Sequence, residues 1–146
     1  MTRITMQLEG GDQLAAALRA YGSAAEKHVG DAVNATGLEL RGDIVKAYQR
    51  GPASGVTYEK YNPRRTHTAS APDQAPATDT GRLASSVDFK REGPMSATVG
   101  SQVAYAAMLE LGTSRIAPRP AWVPATEAMR QKFRQRIETA LARAAK

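Results

Sequence analysis

Few side chains in this chain have the type and spacing that chemistry needs. The acids Asp79, Glu92 and Glu110 are dispersed, and neither His28 nor His67 has an obvious partner nearby in sequence. Thr78-Asp79-Thr80-Gly81 is a near miss for the Gly-Asp-Thr-Gly cue of aspartic proteases. It lacks the apolar strand context and a second copy, and a single Asp cannot form the dyad that shares a proton. Asp79 or Thr80 is better read as the cap of a short helix through Ser86. Gly112-Thr113 has no glycine-rich loop around it and reads as a helix stop rather than a phosphate cradle. There is no Cys, hence no disulfide and no thiolate metal site, and two distant His make a zinc site unexpected. No set of residues takes nucleophile, base and oxyanion roles. The expectation is a non-enzyme without cofactor or metal.

The elements around those residues are readable from periodicity. Ile4, Met6 and Leu8 alternate with polar residues, as in a strand ended by Gly10-Gly11. Asp12 is a candidate cap, and Leu14, Ala17, Leu18 and Tyr21 then share a helical face up to a break at Gly22-Ser23. A longer stripe follows, formed by Val29, Val33, Thr36 or Gly37, Leu40, Ile44 and Tyr48. Gly30, Gly37 and Gly42 inside it imply either a kink or a closely passing backbone. Gly51-Pro52 ends this region.

Residues 51–79 show no hydrophobic periodicity and hold four Pro, at 52, 63, 72 and 76. Tyr58, Lys60, Tyr61, Arg64, Arg65 and His67 cluster in the middle. Three readings stand for this segment: a solvated loop, an arm that bridges subunits, or a strip that stacks and neutralises single-stranded nucleic acid. Asp79 to Ser86 is expected to form a short capped helix. Val87–Lys90 and Met95–Gly100 form a β-hairpin turned by Glu92-Gly93-Pro94. A short helix over about 104–111 stops at Gly112. The crossing through Pro118, Pro120 and Pro124 leads into a last helix striped by Met129, Phe133, Ile137, Ala140, Leu141 and Ala144. Six basic residues and one acid lie between Arg130 and Lys146. Such a run reads as a solvated or protein-facing surface before it reads as a membrane or DNA contact. Trp122, the only Trp, is either an interface anchor or the main plug of a core poor in aromatics.

The fold class that follows is α+β: an N-terminal strand, a long Ala-rich helical region, an extended arm at 51–79, an antiparallel β-hairpin and a C-terminal amphipathic helix. The 146 residues fit a single domain, 1–146. No run of about 18 apolar residues marks a membrane span, and the opening residues carry no secretory pattern. The net charge of +6 permits contact with nucleic acid or acidic proteins without choosing between them.

Several ordered pieces together carry a family resemblance. They are the opening strand with its Ala-rich helix; Ser70-Ala71-Pro72 with Pro76-Ala77-Thr78-Asp79-Thr80-Gly81-Arg82-Leu83 and Ser86-Val87; Val99-Gly100 leading to Tyr105-Ala106 and Leu109-Glu110-Leu111-Gly112-Thr113; and Pro118-Arg119-Pro120-Ala121-Trp122-Val123-Pro124-Ala125. In this order the chain resembles the small tail-component proteins of long-tailed bacteriophages and prophages, described as tail-completion, neck or head–tail joining proteins. Two departures are visible: the aromatic usual after the second Pro of the crossing is displaced to Trp122, and Leu111 stands where an aromatic is common.

The resemblance implies a non-enzymatic structural part of the virion, located in tail or neck and in the host cytoplasm during assembly. Its implied partners are copies of itself in a ring of six or more, neighbouring head-connector and tail proteins, and possible non-specific contact with packaged DNA, with no membrane. Tyr58, Tyr61, Arg64, Arg65 and Trp122 are the candidate interface residues. Asp79, Gly81, Leu83, Tyr105, Glu110, Gly112, Thr113, Pro118, Pro120 and Pro124 are the family-motif residues expected to serve structure. The arm is expected to be mobile in the free subunit and ordered on assembly. A small basic nucleic-acid-binding module is the alternative.

Overall fold

A computed structural model describes residues 4–7, 14–15 and 22–145. The element order is β1 (Ile4–Gln7), α1 (Ser23–Gln49), β2 (Thr57–Tyr61), β3 (Arg64–Thr68), α2 (Arg82–Ser85), β4 (Val87–Gly93), β5 (Ser96–Ser101), α3 (Tyr105–Leu111) and α4 (Trp122–Ala144). This is the expected α+β mixture. Leu14 and Ala15 are helical as read; Leu8, Gly10, Gly11, Asp12, Ala17, Leu18 and Tyr21 lie outside the described residues.

β1, β5 and β4 form one antiparallel sheet with β5 in the centre. Met6 pairs with Val99, and Val99 with Phe89 on the other side. Central placement explains why β5 is buried along nearly its whole length. α1 begins at the break expected from Gly22-Ser23, where Gly22 takes φ 81°. Its buried residues are the stripe read from the sequence, extended by Ala25 and Gly30.

Close approach accounts for Gly30 and Gly37, whereas nothing lies within 4 Å of where a Cβ on Gly42 would be. A Cβ on Gly37 would lie 2.5 Å from the Phe89 ring, and one on Gly30 would collide with the Pro94 carbonyl oxygen. The small residues let α1 settle directly onto the β4–β5 hairpin.

α4 packs along α1 and completes two apolar clusters. Leu40, Ile44, Tyr48, Val87, Val99, Trp122 and Met129 build the larger one. Ala25, Val29, Val33, Ala97 and Ala140 build the second, and Phe89 packs against both. At about 25 cal/mol per Å² of apolar surface buried, these clusters supply the main folding drive. In α4, Met129 and Ala140 are buried, while Phe133, Ile137, Leu141 and Ala144 are half-buried.

Two basic side chains of α4 are used inside the molecule. Lys132 donates to Glu39 of α1 at 2.9 Å, and Arg136 donates to both Glu39 and, at 3.2 Å, Thr36. The hydrogen bond from Lys132, then that from Arg136, holds the Glu39 carboxyl below its usual range.

Segment 51–79 departs from a structureless arm. Its middle is a second antiparallel hairpin, β2–β3, turned at Asn62-Pro63 through a cis peptide bond. Both of its faces are polar, so strand geometry leaves no hydrophobic alternation to read. No residue of either strand is buried.

Candidate functional site

Two carboxylates organise the surface where the motif pieces converge. The first is Glu110, near the end of α3. α4 starts at Trp122 after Ala121, which has no side-chain acceptor to cap a helix. A helix start leaves backbone N–H groups without intrahelical acceptors. Glu110 supplies the cap from a distance. One oxygen accepts from the N–H groups of Ala121 (2.8 Å) and Trp122 (3.1 Å), and the other from Val123 (2.8 Å). The carboxylate sits at the positive end of the helix dipole, and the residue is buried.

The loop between α3 and α4 is shaped to make this reach possible. Gly112 takes φ 74° and ends α3. Thr113 closes the next turn through its N–H to the Ile116 carbonyl (2.7 Å), while its hydroxyl accepts from the Arg115 and Ile116 N–H groups. The Pro118 carbonyl accepts from Asp73 N–H (2.9 Å), and Arg119 N–H donates to Leu109 (2.6 Å). Pro120 precedes the cap, and Pro124 occupies the first turn of α4, where its missing N–H costs nothing.

Trp122 is fully buried. Its indole N–H donates to the Tyr48 hydroxyl at 2.6 Å. Of its two readings, the core plug is the observed one. As an interface candidate Trp122 is corrected, because its side chain is covered by α1 and the sheet of its own chain. Burial, more than any charge, pushes the Tyr48 hydroxyl pKa up, and the Glu110 carboxylate and Tyr105 add to it.

The second carboxylate is Asp79, and here too the structure corrects the sequence reading. Asp79 does not cap α2: Gly81 holds the N-cap position at φ 75°, and the Thr80 hydroxyl accepts from Arg82 N–H at 3.4 Å. Asp79 instead binds the hairpin. Lys60 donates to one of its oxygens, Arg65 spans both (3.1 and 3.2 Å), and His67 Nδ1 lies 3.8 Å away. Strand alternation explains the convergence. Tyr58 pairs with His67 and Lys60 with Arg65, so all four share one face. Glu59, Tyr61, Arg64 and Thr66 share the other.

The hydrogen bond from Lys60, followed by the charges of Arg65, Lys60 and His67, lowers the Asp79 pKa. The pairing is therefore at full strength above the ordinary aspartate range, about 3.9. It is lost as pH falls below that range and the carboxylate takes up a proton. Asp79→Asn is expected to speed amide exchange across 55–70 while leaving exchange in α1 unchanged. Equal exchange in both proteins would show that the hairpin is held by something else.

The other interface candidates divide. Tyr61 (75 % exposed), Tyr58 (50 %) and Arg64 stay at the surface, whereas Arg65 is half-buried on Asp79. Beside Asp79 lies a groove of about 250 Å³ lined by Asp79, Gly81, Leu83, Tyr105, Leu109 and Arg119, among others. Sequence reasoning missed both carboxylate roles and the Tyr48 partner of Trp122. The signal for Glu110 was present as an absence: a helix opening Ala-Trp-Val-Pro has no local cap, and an acid stands within an apolar turn just upstream.

Among the described residues no cluster of three or more His, Cys, Asp or Glu is arranged to hold a metal, and no helix is long and apolar enough to cross a membrane. The fold is α+β, and Glu110 and Asp79 both make connections within the chain. Residues 12–112 match the HK97-gp10-like family, described as "Bacteriophage HK97-gp10, putative tail-component". The match spans well over half of the chain, and the chain belongs to this bacteriophage tail-component family. No match was found among curated proteins or solved structures.

Proposed function

We propose that this chain is a tail-completion or head–tail joining component of the neck, a structural virion protein that works by assembling into a ring. The observation that carries this reading is membership of a tail-component family in a chain that leaves large apolar side chains exposed. Met108 (46 % exposed), Leu111 (76 %), Ile116 (39 %) and Val123 (51 %) all lie along the stretch from α3 to the start of α4. Exposed apolar surface of this kind is what an interaction site would use. A heterologous contact between copies closes into a ring when its rotation permits. The β2–β3 hairpin, with Tyr58 and Tyr61 exposed, is the natural arm toward a neighbour. Virion and, during assembly, host cytoplasm are the corresponding locations.

Sedimentation of the purified chain over a wide concentration range tests this reading. A discrete multimer of six or more is expected, and Leu111→Glu is expected to reduce it to smaller species. A monomer at every concentration, together with infectious tailed particles made without the protein, would end the proposal.

A second reading is kept by one observation. His28, Lys132, Gln135, Arg136 and Arg143 line a groove of about 530 Å³ between α1 and α4. A nucleic-acid module would use such a surface, and its affinity would fall steeply with salt. Glu39 already engages two of those cations, which favours the structural reading.

A further inference from the structure

We propose that the groove between the β2–β3 hairpin, the segment 76–84 that leads into α2, and α3 docks an acidic segment of an adjoining protein, with Arg119 as the carboxylate anchor. The proposal deepens the neck reading by naming the chemistry of a partner other than the chain itself.

Arg119 is half-buried and fixed at two points. Its backbone N–H donates to Leu109 (2.6 Å), and its side-chain Nε donates to the Ser70 carbonyl (3.1 Å). Its two terminal nitrogens make no hydrogen bond to any described residue. A guanidinium held by its Nε presents a preorganised fork to a carboxylate, which it binds through two parallel hydrogen bonds. Arg82, exposed on the same lining, has no side-chain partner among the described residues.

Two acceptors of the groove are already engaged: the Ser70 carbonyl by Arg119, and the Asp79 carboxylate by Lys60 and Arg65, with His67 beside it. The Arg119 terminal nitrogens and Arg82 are left as cationic donors, which favour an anionic, acceptor-rich ligand.

Size and walls narrow the ligand further. A volume of about 250 Å³ is below the ~300–1,000 Å³ of pockets that enclose a whole small molecule, and it suits one or two side chains of a peptide. Pro76, Leu83 and Leu109 supply apolar wall, which fits an acid flanked by aliphatic residues better than a phosphate chain. The chain itself carries a net +6, so an acidic neighbour is better matched to it than a second copy is.

Amide and side-chain NMR shifts of the intact chain, titrated with a capped Leu-Glu-Leu peptide and its Leu-Gln-Leu counterpart, test the proposal. The acidic peptide is expected to shift Arg119 Nε and the amides of Leu83 and Leu109, with the Gln peptide at least about tenfold weaker. Arg119→Lys is expected to weaken binding about tenfold, since a point charge does not reproduce the fork. Arg82→Gln, on an exposed side chain that leaves the fold intact, is expected to weaken it several-fold. Equal binding of both peptides, shifts spread over all basic surfaces, no shift up to ~10 mM peptide, or a stronger response to a short DNA duplex at the same residues would each overturn it. The readout is local to Arg119, Leu83 and Leu109 and oligomeric state is measured separately by sedimentation, so failure of this docking and failure of the ring reading are told apart.

Discussion

Trp122→Ala is expected to lower the free energy of unfolding by about 3–5 kcal/mol, the usual cost of emptying an aromatic from a close-packed site. The indole is fully buried and touches both α1 and the sheet through Leu40, Ile44, Tyr48, Val87 and Val99. Its loss would also leave the buried Tyr48 hydroxyl without its hydrogen-bond donor. Trp122→Phe separates the two contributions. It keeps most of the apolar volume and removes the N–H, so a loss of only about 1–2 kcal/mol is expected. Denaturant titrations of the three proteins give the comparison. Wild-type stability in Trp122→Ala would place the ring outside the core and return it to the surface reading.

Glu110→Ala is the second large effect, expected at about 2–4 kcal/mol. One side chain accepts from three backbone N–H groups at the start of α4, and hydrogen bonds to a charged partner contribute a net of about 1.5–3 kcal/mol, and three that share one carboxylate do not add in full. Val123 is exposed and its N–H can find solvent, whereas Ala121 and Trp122 are buried and their N–H groups would be left without a partner. Glu110→Gln keeps one acceptor oxygen but sets an NH2 group against backbone N–H groups, so an intermediate loss is expected. The local readout is amide exchange at Ala121–Val123, which should quicken in both variants. If Glu110→Ala melts like wild type, the acid is not the cap of α4.

These two residues couple folding to the proposed assembly surface. The crossing that exposes Met108, Leu111, Ile116 and Val123 is the segment Glu110 and Trp122 hold in place. Both side chains are buried within the chain itself. A variant at either position that weakens ring formation would therefore do so by loosening the platform, and a loss of stability should accompany it. Leu111→Glu, on a side chain 76 % exposed, should impair association with little loss of stability.

Much of the architecture was present in local pattern. The stripe from Val29 to Tyr48, the hairpin turned near Glu92-Gly93-Pro94, the stop at Gly112 and the Pro124 helix start all follow from short-range rules of period, turn chemistry and capping. The resemblance that led to the tail-component family was also a matter of ordered local motifs, and the family match over 12–112 agrees with it. What was illegible is of another kind. The β2–β3 hairpin has polar residues on both faces, so its strands leave no alternation. Asp79 has the same local signature as a capping Asp, and nothing in its neighbours says that Lys60 and Arg65 will arrive across a turn.

The sequence by itself determined the amphipathic helices, the β4–β5 hairpin, which faces of them are apolar, and which family the chain belongs to. Those properties depend on residues within a few positions of one another. Only the tertiary structure decided what the polar motif residues do: Glu110 became the cap of a helix eleven residues away, Asp79 the clasp of a hairpin, Trp122 a core plug bonded to Tyr48, and Arg119 an anchored fork beside an open groove. The physical reason is that a charge or hydrogen-bond donor acts on whatever the fold brings within about 3 Å, and that distance is set by packing between segments far apart in the chain.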